Sequence, residues 1–233
     1  MLTGGSAGQN LVAAIYDTTT QSVGAATIVR ASAYGAMAVK SSTDQVLCVA
    51  FDNGNPGNLY AAVLTVSGTS ITVNTAVTAA ITGQFTFAGN WAAVGGAFCL
   101  SYKNGSYGVA RAITISGTTP SIGAEQSASA AGAPRLYVSG SMLRAVRVSS
   151  QSTVTCTPYS VSGNTLTAGT TASTATTILE SAVRSFQYPA GDIGVLHTNG
   201  GYWVASIFKL TSTTEAVLST NINTHGTLAA SSI

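Results

Sequence analysis

One phrase recurs along the chain and constrains the fold more than any other feature. It reads Val63-Leu64-Thr65-Val66-Ser67-Gly68-Thr69, then Ala112-Ile113-Thr114-Ile115-Ser116-Gly117-Thr118, then Pro158-Tyr159-Ser160-Val161-Ser162-Gly163-Asn164. Weaker copies are Ile207-Phe208-Lys209-Leu210-Thr211-Ser212-Thr213 and Ile15-Tyr16-Asp17-Thr18-Thr19-Thr20. With positions 20, 68, 117, 163 and 212 as anchors, the spacings are 48, 49, 46 and 49 residues. Near-equal spacing means that one supersecondary unit is being copied. The first copy agrees at an offset of 48, where Asn10-Leu11-Val12-Ala13-Ala14-Ile15 lies on Asn58-Leu59-Tyr60-Ala61-Ala62-Val63.

Each unit reads as four antiparallel strands. In the best-defined one, Phe85 to Val94 contains a first strand and Ala97 to Tyr102 forms a second. Asn104-Gly105 is a hairpin signal, because both residues tolerate the left-handed backbone that a two-residue turn needs. Tyr107 to Ile115 is the third strand, and Ser116-Gly117 turns into the fourth. Asn53-Gly54 and Asn199-Gly200 fill the same turn elsewhere, with Ser149-Ser150 replacing it once. No segment carries helical periodicity with caps. Four strands per unit at this spacing predict an all-β five-bladed β-propeller, one domain over 1–233.

The ends bear on closure. Met1 aligns with Val49, inside a second strand, and the last 21 residues run past the final anchor to where a first strand begins, Thr227 to Ile233. The N- and C-terminal strands are therefore expected to share one blade, hiding both sheet edges. The closing step is 41 residues, about one strand under a full unit, so the closing blade is incomplete or is completed by a partner chain, which makes a homo-oligomer a further expectation.

Composition excludes several classes. Charged residues are only 7% against about a quarter in ordinary domains, yet 45% of residues are hydrophobic, so a core can form. Nine basic and seven acidic side chains leave a net charge of +2 with no cluster of Lys or Arg, which argues against nucleic acid. The apolar runs are interrupted long before a membrane span, and Met1-Leu2-Thr3-Gly4-Gly5 does not read as a signal peptide. Cys48, Cys99 and Cys156 match neither a disulfide framework nor a zinc spacing and read as buried free thiols.

The repeated run into Val-Ser-Gly-Thr-Ser-Ile-Thr-Val resembles repeats in tail-fibre, spike and other virion-surface proteins of tailed bacteriophages. The resemblance covers nearly the whole chain. It implies a non-enzymatic virion surface protein that attaches to the host surface or decorates the particle. It also implies other virion proteins as partners and synthesis in the host cytoplasm before release in the virion; a host-surface glycan is the ligand that the ring-and-donor positions described below would suit. A free propeller-type lectin is the alternative reading.

Catalytic signals are weak. Gly4-Gly5-Ser6-Ala7-Gly8 matches a nucleophile-elbow string, but that elbow needs a following helix, and here the segment aligns with the Asp52–Pro56 turn. His197 and His225 have no acid at motif spacing. Glycosidases need two placed carboxylates, and Asp17, Asp44, Asp52, Glu125, Glu180, Asp192 and Glu215 show no recurring box. Asp52-Asn53-Gly54-Asn55 lacks the terminal glutamate of a calcium loop and reads as a turn. No cofactor or metal is expected. One constellation suits a ligand: aligning second strands by their hairpins puts Phe51, Tyr102, Arg147 and His197 at one equivalent position, and Arg135 and Arg184 match each other. Rings with a few donors suit sugars, while blade-to-blade packing is the competing role.

Overall fold

The computed structural model describes residues 2–3, 9–52, 57–81, 85–86, 90–105, 107–128, 132–149, 153–175, 184–188, 191–199 and 202–221. Among them there are strands and turns but no helix, and all pairing is antiparallel within the sheets. Sheet I contains β1 (Leu2–Thr3), β2 (Gln9–Ala13), β5 (Thr27–Lys40), β6 (Gln45–Asp52), β7 (Asn58–Ser67), β8 (Ser70–Val73) and β9 (Val77–Ala80), with a small separate ladder of β3 (Tyr16–Asp17) and β4 (Ser22–Val23) beside it. Sheet II contains β10 (Phe85–Thr86), β11 (Trp91–Val94), β12 (Ala97–Asn104), β13 (Tyr107–Ser116), β14 (Thr119–Ile122) and β15 (Gln126–Ala128). Sheet III contains β16 (Arg135–Ser139), β17 (Met142–Ser149), β18 (Thr153–Ser162), β19 (Thr165–Ala168) and β20 (Ala172–Ala175). Sheet IV contains β21 (Arg184–Gln187), β22 (Ile193–Asn199), β23 (Tyr202–Thr211) and β24 (Thr214–Asn221).

The turn at the recurring phrase is a two-residue loop in four copies, closed by the pairs Ser67–Ser70, Ser116–Thr119, Ser162–Thr165 and Thr211–Thr214, and a four-residue loop between Asp17 and Ser22 in the first. Gly68, Gly117 and Gly163 have φ of 57°, 58° and 56°, and the non-glycine residues Gln21 and Ser212 adopt 53° and 58°. Gln21, one residue beyond Thr20, is the last residue of the longer first loop, whereas the other four directly follow their third strands. Glycine takes this left-handed conformation without steric cost; Gln21 and Ser212 hold it because the flanking ladders leave the chain no other path.

After that turn the fourth strand is interrupted at a fixed place. Gly24 N–H donates to the Ile15 carbonyl (2.8 Å), Asn74 to Val63 (3.0 Å), Gly123 to Ala112 (2.9 Å) and Gly169 to Pro158 (2.8 Å). Pro158 is tolerated inside β18 because its missing N–H lies on the same side as its carbonyl, toward this break. The break is where consecutive sheets dock. A methyl group on Gly123 would collide with the Asn164 carbonyl, and one on Gly169 with the Thr213 carbonyl. Thr170 N–H donates to Thr213 O, and Glu215 N–H to Thr170 O, each at 3.0 Å. In sheet IV the fourth strand is unbroken at the matching rung, where Leu218 pairs with Ile207.

Alternation in each strand sends one set of side chains to each neighbour. Leu47, Val49 and Phe51 of sheet I pack against Leu100, Tyr102 and Ile113 of sheet II. The other face of sheet II, with Cys99 and Ala112, meets Leu136, Leu143 and Tyr159 of sheet III. Val146, Val154 and Cys156 of sheet III meet Ile193, Val195 and Phe208 of sheet IV. Each fully buried aliphatic or aromatic side chain contributes about 1.5–3 kcal/mol.

The sequence expects five separate blades closed in a ring; the structure is all-β, as expected, but among the described residues it has sheets of seven, six, five and four strands and a two-stranded ladder. The first two four-stranded units lie in a single sheet because β5 is continuous. Its first half pairs with β2 and its second half with β6, with a bend marked by positive φ at Ser32 (54°) and Gly35 (63°). The bend folds Leu11, Ala13 and Val29 over Cys48, Ala50 and Ala62 in a fourth apolar cluster. Among the described residues no sheet closes on itself into a barrel or propeller. The tail expected to complete a blade, 227–233, lies outside the described residues, as do Gly4–Gly8 and the Asn53–Pro56 turn.

Candidate functional site

Three of the aligned residues occupy the equivalent rung of three different sheets, which does not gather them into one site. Tyr102 faces Val109, Arg147 faces Thr155 and His197 faces Val204. Phe51 faces Leu59, one rung away from that position. The reason is loop length: β6 and β7 are separated by 53–57, whereas β12 and β13 are separated only by 105–106. Moving by one rung reverses the face a side chain occupies. Phe51 therefore points forward onto sheet II while Tyr102 points back onto sheet I. The two rings meet edge-to-face, centroids 5.5 Å apart.

Three of these four side chains are closed to solvent. Phe51, Tyr102 and His197 are all 0% exposed, and Arg147 is half-buried. Tyr102 Oη donates to Glu125 Oε1 at 2.6 Å, Arg147 Nη2 donates to Thr157 Oγ1 at 3.3 Å, and His197 Nε2 lies 2.9 Å from Ser206 Oγ. Burial holds the Tyr102 hydroxyl well above its ordinary pKa, and the bond to Glu125 adds to this. Arg135 is exposed on β16, opposite Val146, and the backbone of Arg184 pairs with Leu196 in the corresponding place.

The charged residues do work that spacing did not reveal. Arg30 grips Asp52 through Nε and Nη2, both at 2.8 Å, and its guanidinium lies 4.9 Å from the centre of the Tyr60 ring. The Asp52 bond raises the pKa of Arg30. Arg111 Nη2 meets Glu125 Oε1 at 3.0 Å and donates to the Ala80 carbonyl at 2.9 Å, while Asn104 Nδ2 donates to Glu125 Oε2 at 2.9 Å. Arg144 of sheet III is 0% exposed and forks onto Glu215 of sheet IV, Nε to Oε1 at 2.5 Å and Nη2 to Oε2 at 2.7 Å. It also donates to the carbonyls of Phe208 and Gly191. Asp17 caps its own turn by accepting from Thr19 and Thr20, Asp44 accepts from Ser42, and Asp192 lies 3.7 Å from Lys209.

All six described carboxylates are therefore engaged within the chain. Among the described residues no group of three His, Cys, Asp or Glu side chains gathers to hold a metal ion. The three cysteines are buried free thiols, as the sequence suggested, with burial pushing Cys48 and Cys99 up to about 12.

Two surface features were not legible in advance. Trp91, 45% exposed, stands at the mouth of an apolar groove lined by Met37, Val39, Leu47 and Phe98 between sheets I and II. Phe186 and Tyr188 form an exposed edge-to-face pair, centroids 5.2 Å apart, lying over Gly194. A Cβ on Gly194 would sit 2.6 Å from Phe186 Cζ and 3.0 Å from Tyr188 Cε2, so the missing side chain is what lets both rings rest on the sheet. Scanned against protein-family models the chain matches none, and no curated protein matches its sequence.

Proposed function

We propose that this chain is a non-enzymatic virion-surface protein of the tailed-phage kind, a fibre, spike or decoration component. In this reading its five four-stranded units serve as propeller-type blades. The observation that carries the non-enzymatic part is the fate of the acidic groups. Asp52, Glu125 and Glu215 are each held by an arginine, and Asp17, Asp44 and Asp192 are each engaged locally. A glycosidase needs carboxylates free to exchange a proton with substrate, and the six described ones are engaged within the chain. The virion assignment rests on the recurring Val-Ser-Gly-Thr phrase, supported by a surface rich in Ser and Thr and poor in charge. In this reading Tyr102 belongs to the seam between sheets I and II, while Arg147 and His197 bond within their own sheets to Thr157 and Ser206, which weakens the case for a free lectin.

Antibody labelling of purified particles tests the assignment. Label on the surface of assembled virions is the expected result. Recovery of the protein only as an unassembled species in the host lysate overturns it.

A further inference from the structure

Each sheet has a face turned to its predecessor and a face turned to its successor, and two such faces have no neighbour among the described residues. In sheet IV, Ser185 and Gln187 reach back to sheet III: Tyr137 Oη donates to Ser185 Oγ at 2.6 Å, and Gln187 Nε2 donates to the Val138 carbonyl. Phe186, between them, points the other way and lies over its rung partner Gly194. In sheet III the matching rung is Tyr137 opposite Arg144, and both side chains plug into sheet IV. Phe186 thus occupies the position with which a sheet meets its successor, and it is 47% exposed beside Tyr188 at 43%.

The other open face is at the start of the chain. Leu11 and Ala13 are buried in the core shared with β6 and β7, so Val12 between them points away. Its rung partner Ile28 is 58% exposed. Tyr16 (49%) and Val23 (64%) pair in β3 and β4 of the same unit. Seven large apolar side chains are exposed among the described residues, and five of them, Tyr16, Val23, Ile28, Phe186 and Tyr188, belong to the first unit or to sheet IV. Scattered single exposed apolar residues are ordinary, but concentration on two unpartnered faces marks an interaction surface.

We propose that the occupant of each face is the other face of a second copy of this chain: the Phe186–Tyr188 face of sheet IV docks on the Val12–Ile28 face of the first unit of the next molecule. The argument is continuity. The same kind of contact joins sheet I to II, II to III and III to IV within the chain, and a second copy supplies the one predecessor face and the one successor face that remain. Such a contact is heterologous, so copies join head to tail. The proposal stands independently of the virion assignment, and in it the blade-like units continue from molecule to molecule instead of closing a ring within one chain.

Sedimentation velocity across a dilution series tests it, with Phe186→Glu and Ile28→Glu as variants. Both positions are exposed, and far-UV circular dichroism checks that each variant is folded. The wild type is expected to gain mass with concentration, and each variant alone to remain a monomer. Mixing the two variants restores one intact contact per pair, so the mixture yields dimers and nothing larger, a result that misfolded variants would not give. A wild type that stays monomeric at every concentration overturns the proposal, with closure inside the chain as the remaining account. Association that survives both substitutions, or a mixture that stays monomeric, overturns it as well.

Discussion

Where sheet I meets sheet II the seam is closed by rings and aliphatic side chains, with Phe51 against Tyr102 and the ionic group of Arg111 and Glu125 at its margin. Where sheet III meets sheet IV it is crossed by an ion pair with no exposure at all, Arg144 and Glu215. The same sandwich of antiparallel sheets is therefore sealed by two chemistries with different failure modes. An apolar seam loses stability in proportion to the volume removed. A buried ion pair contributes little net stability once desolvation is counted, yet breaking it leaves a charge stranded away from water.

The largest effect should come from the ionic seam. Arg144→Met strands Glu215 and the carbonyls of Phe208 and Gly191, at a cost of about 3–5 kcal/mol. For a domain of this size that is a fall of roughly 10 °C in Tm. Adding Glu215→Leu to the same chain should recover most of the loss, since no charge is then left buried. Calorimetry of the single and double variants measures both, and a double variant no more stable than the single would show that the pair holds the seam by net attraction.

The apolar seam should respond more simply. Phe51→Ala opens a cavity opposite Tyr102 and should cost about 3 kcal/mol. The loss should be the same in low and high salt, because no charge is removed. Urea unfolding at two ionic strengths checks this, and a salt-dependent loss would place the Arg111–Glu125 group in the same energetic unit as the rings.

The smallest effect lies outside both seams. Asp17 is solvent-exposed, and its pKa is held below the ordinary carboxylate value, first by the hydrogen bond from the Thr20 side chain and then by the backbone N–H groups of Thr19 and Thr20. A depressed carboxylate stabilises the fold above its unfolded value, and that contribution disappears as pH falls through the folded one. Asp17→Asn should therefore be slightly less stable than the wild type at neutral pH, with the gap closing in acid. Equal melting differences at neutral pH and at about pH 3 would rule this account out.

These contrasts also separate what was readable in the residues from what was not. The turns were readable because they are local. Ser67-Gly68 and Ser116-Gly117 demand a left-handed residue whatever surrounds them, and the strands around Asn104-Gly105 fall where alternation and turn chemistry place them. The free, buried cysteines followed from their number and spacing. The rung shared by Tyr102, Arg147 and His197 was readable from the hairpins, but Phe51 was misplaced, because a longer loop shifts register without leaving a mark in the strand itself.

By itself, then, the order of residues determined the strand content, the recurring left-handed turn and the near-constant spacing, all set by interactions within a few tens of residues. Only the tertiary structure decided that the first two units share one bent strand, β5, and that Arg144 finds Glu215 across 71 positions. It alone also showed that Phe186 and Ile28 are left facing outward. Those outcomes depend on which sheet face meets which neighbour. A face is chosen by register and burial summed over whole sheets, and no short segment carries that sum.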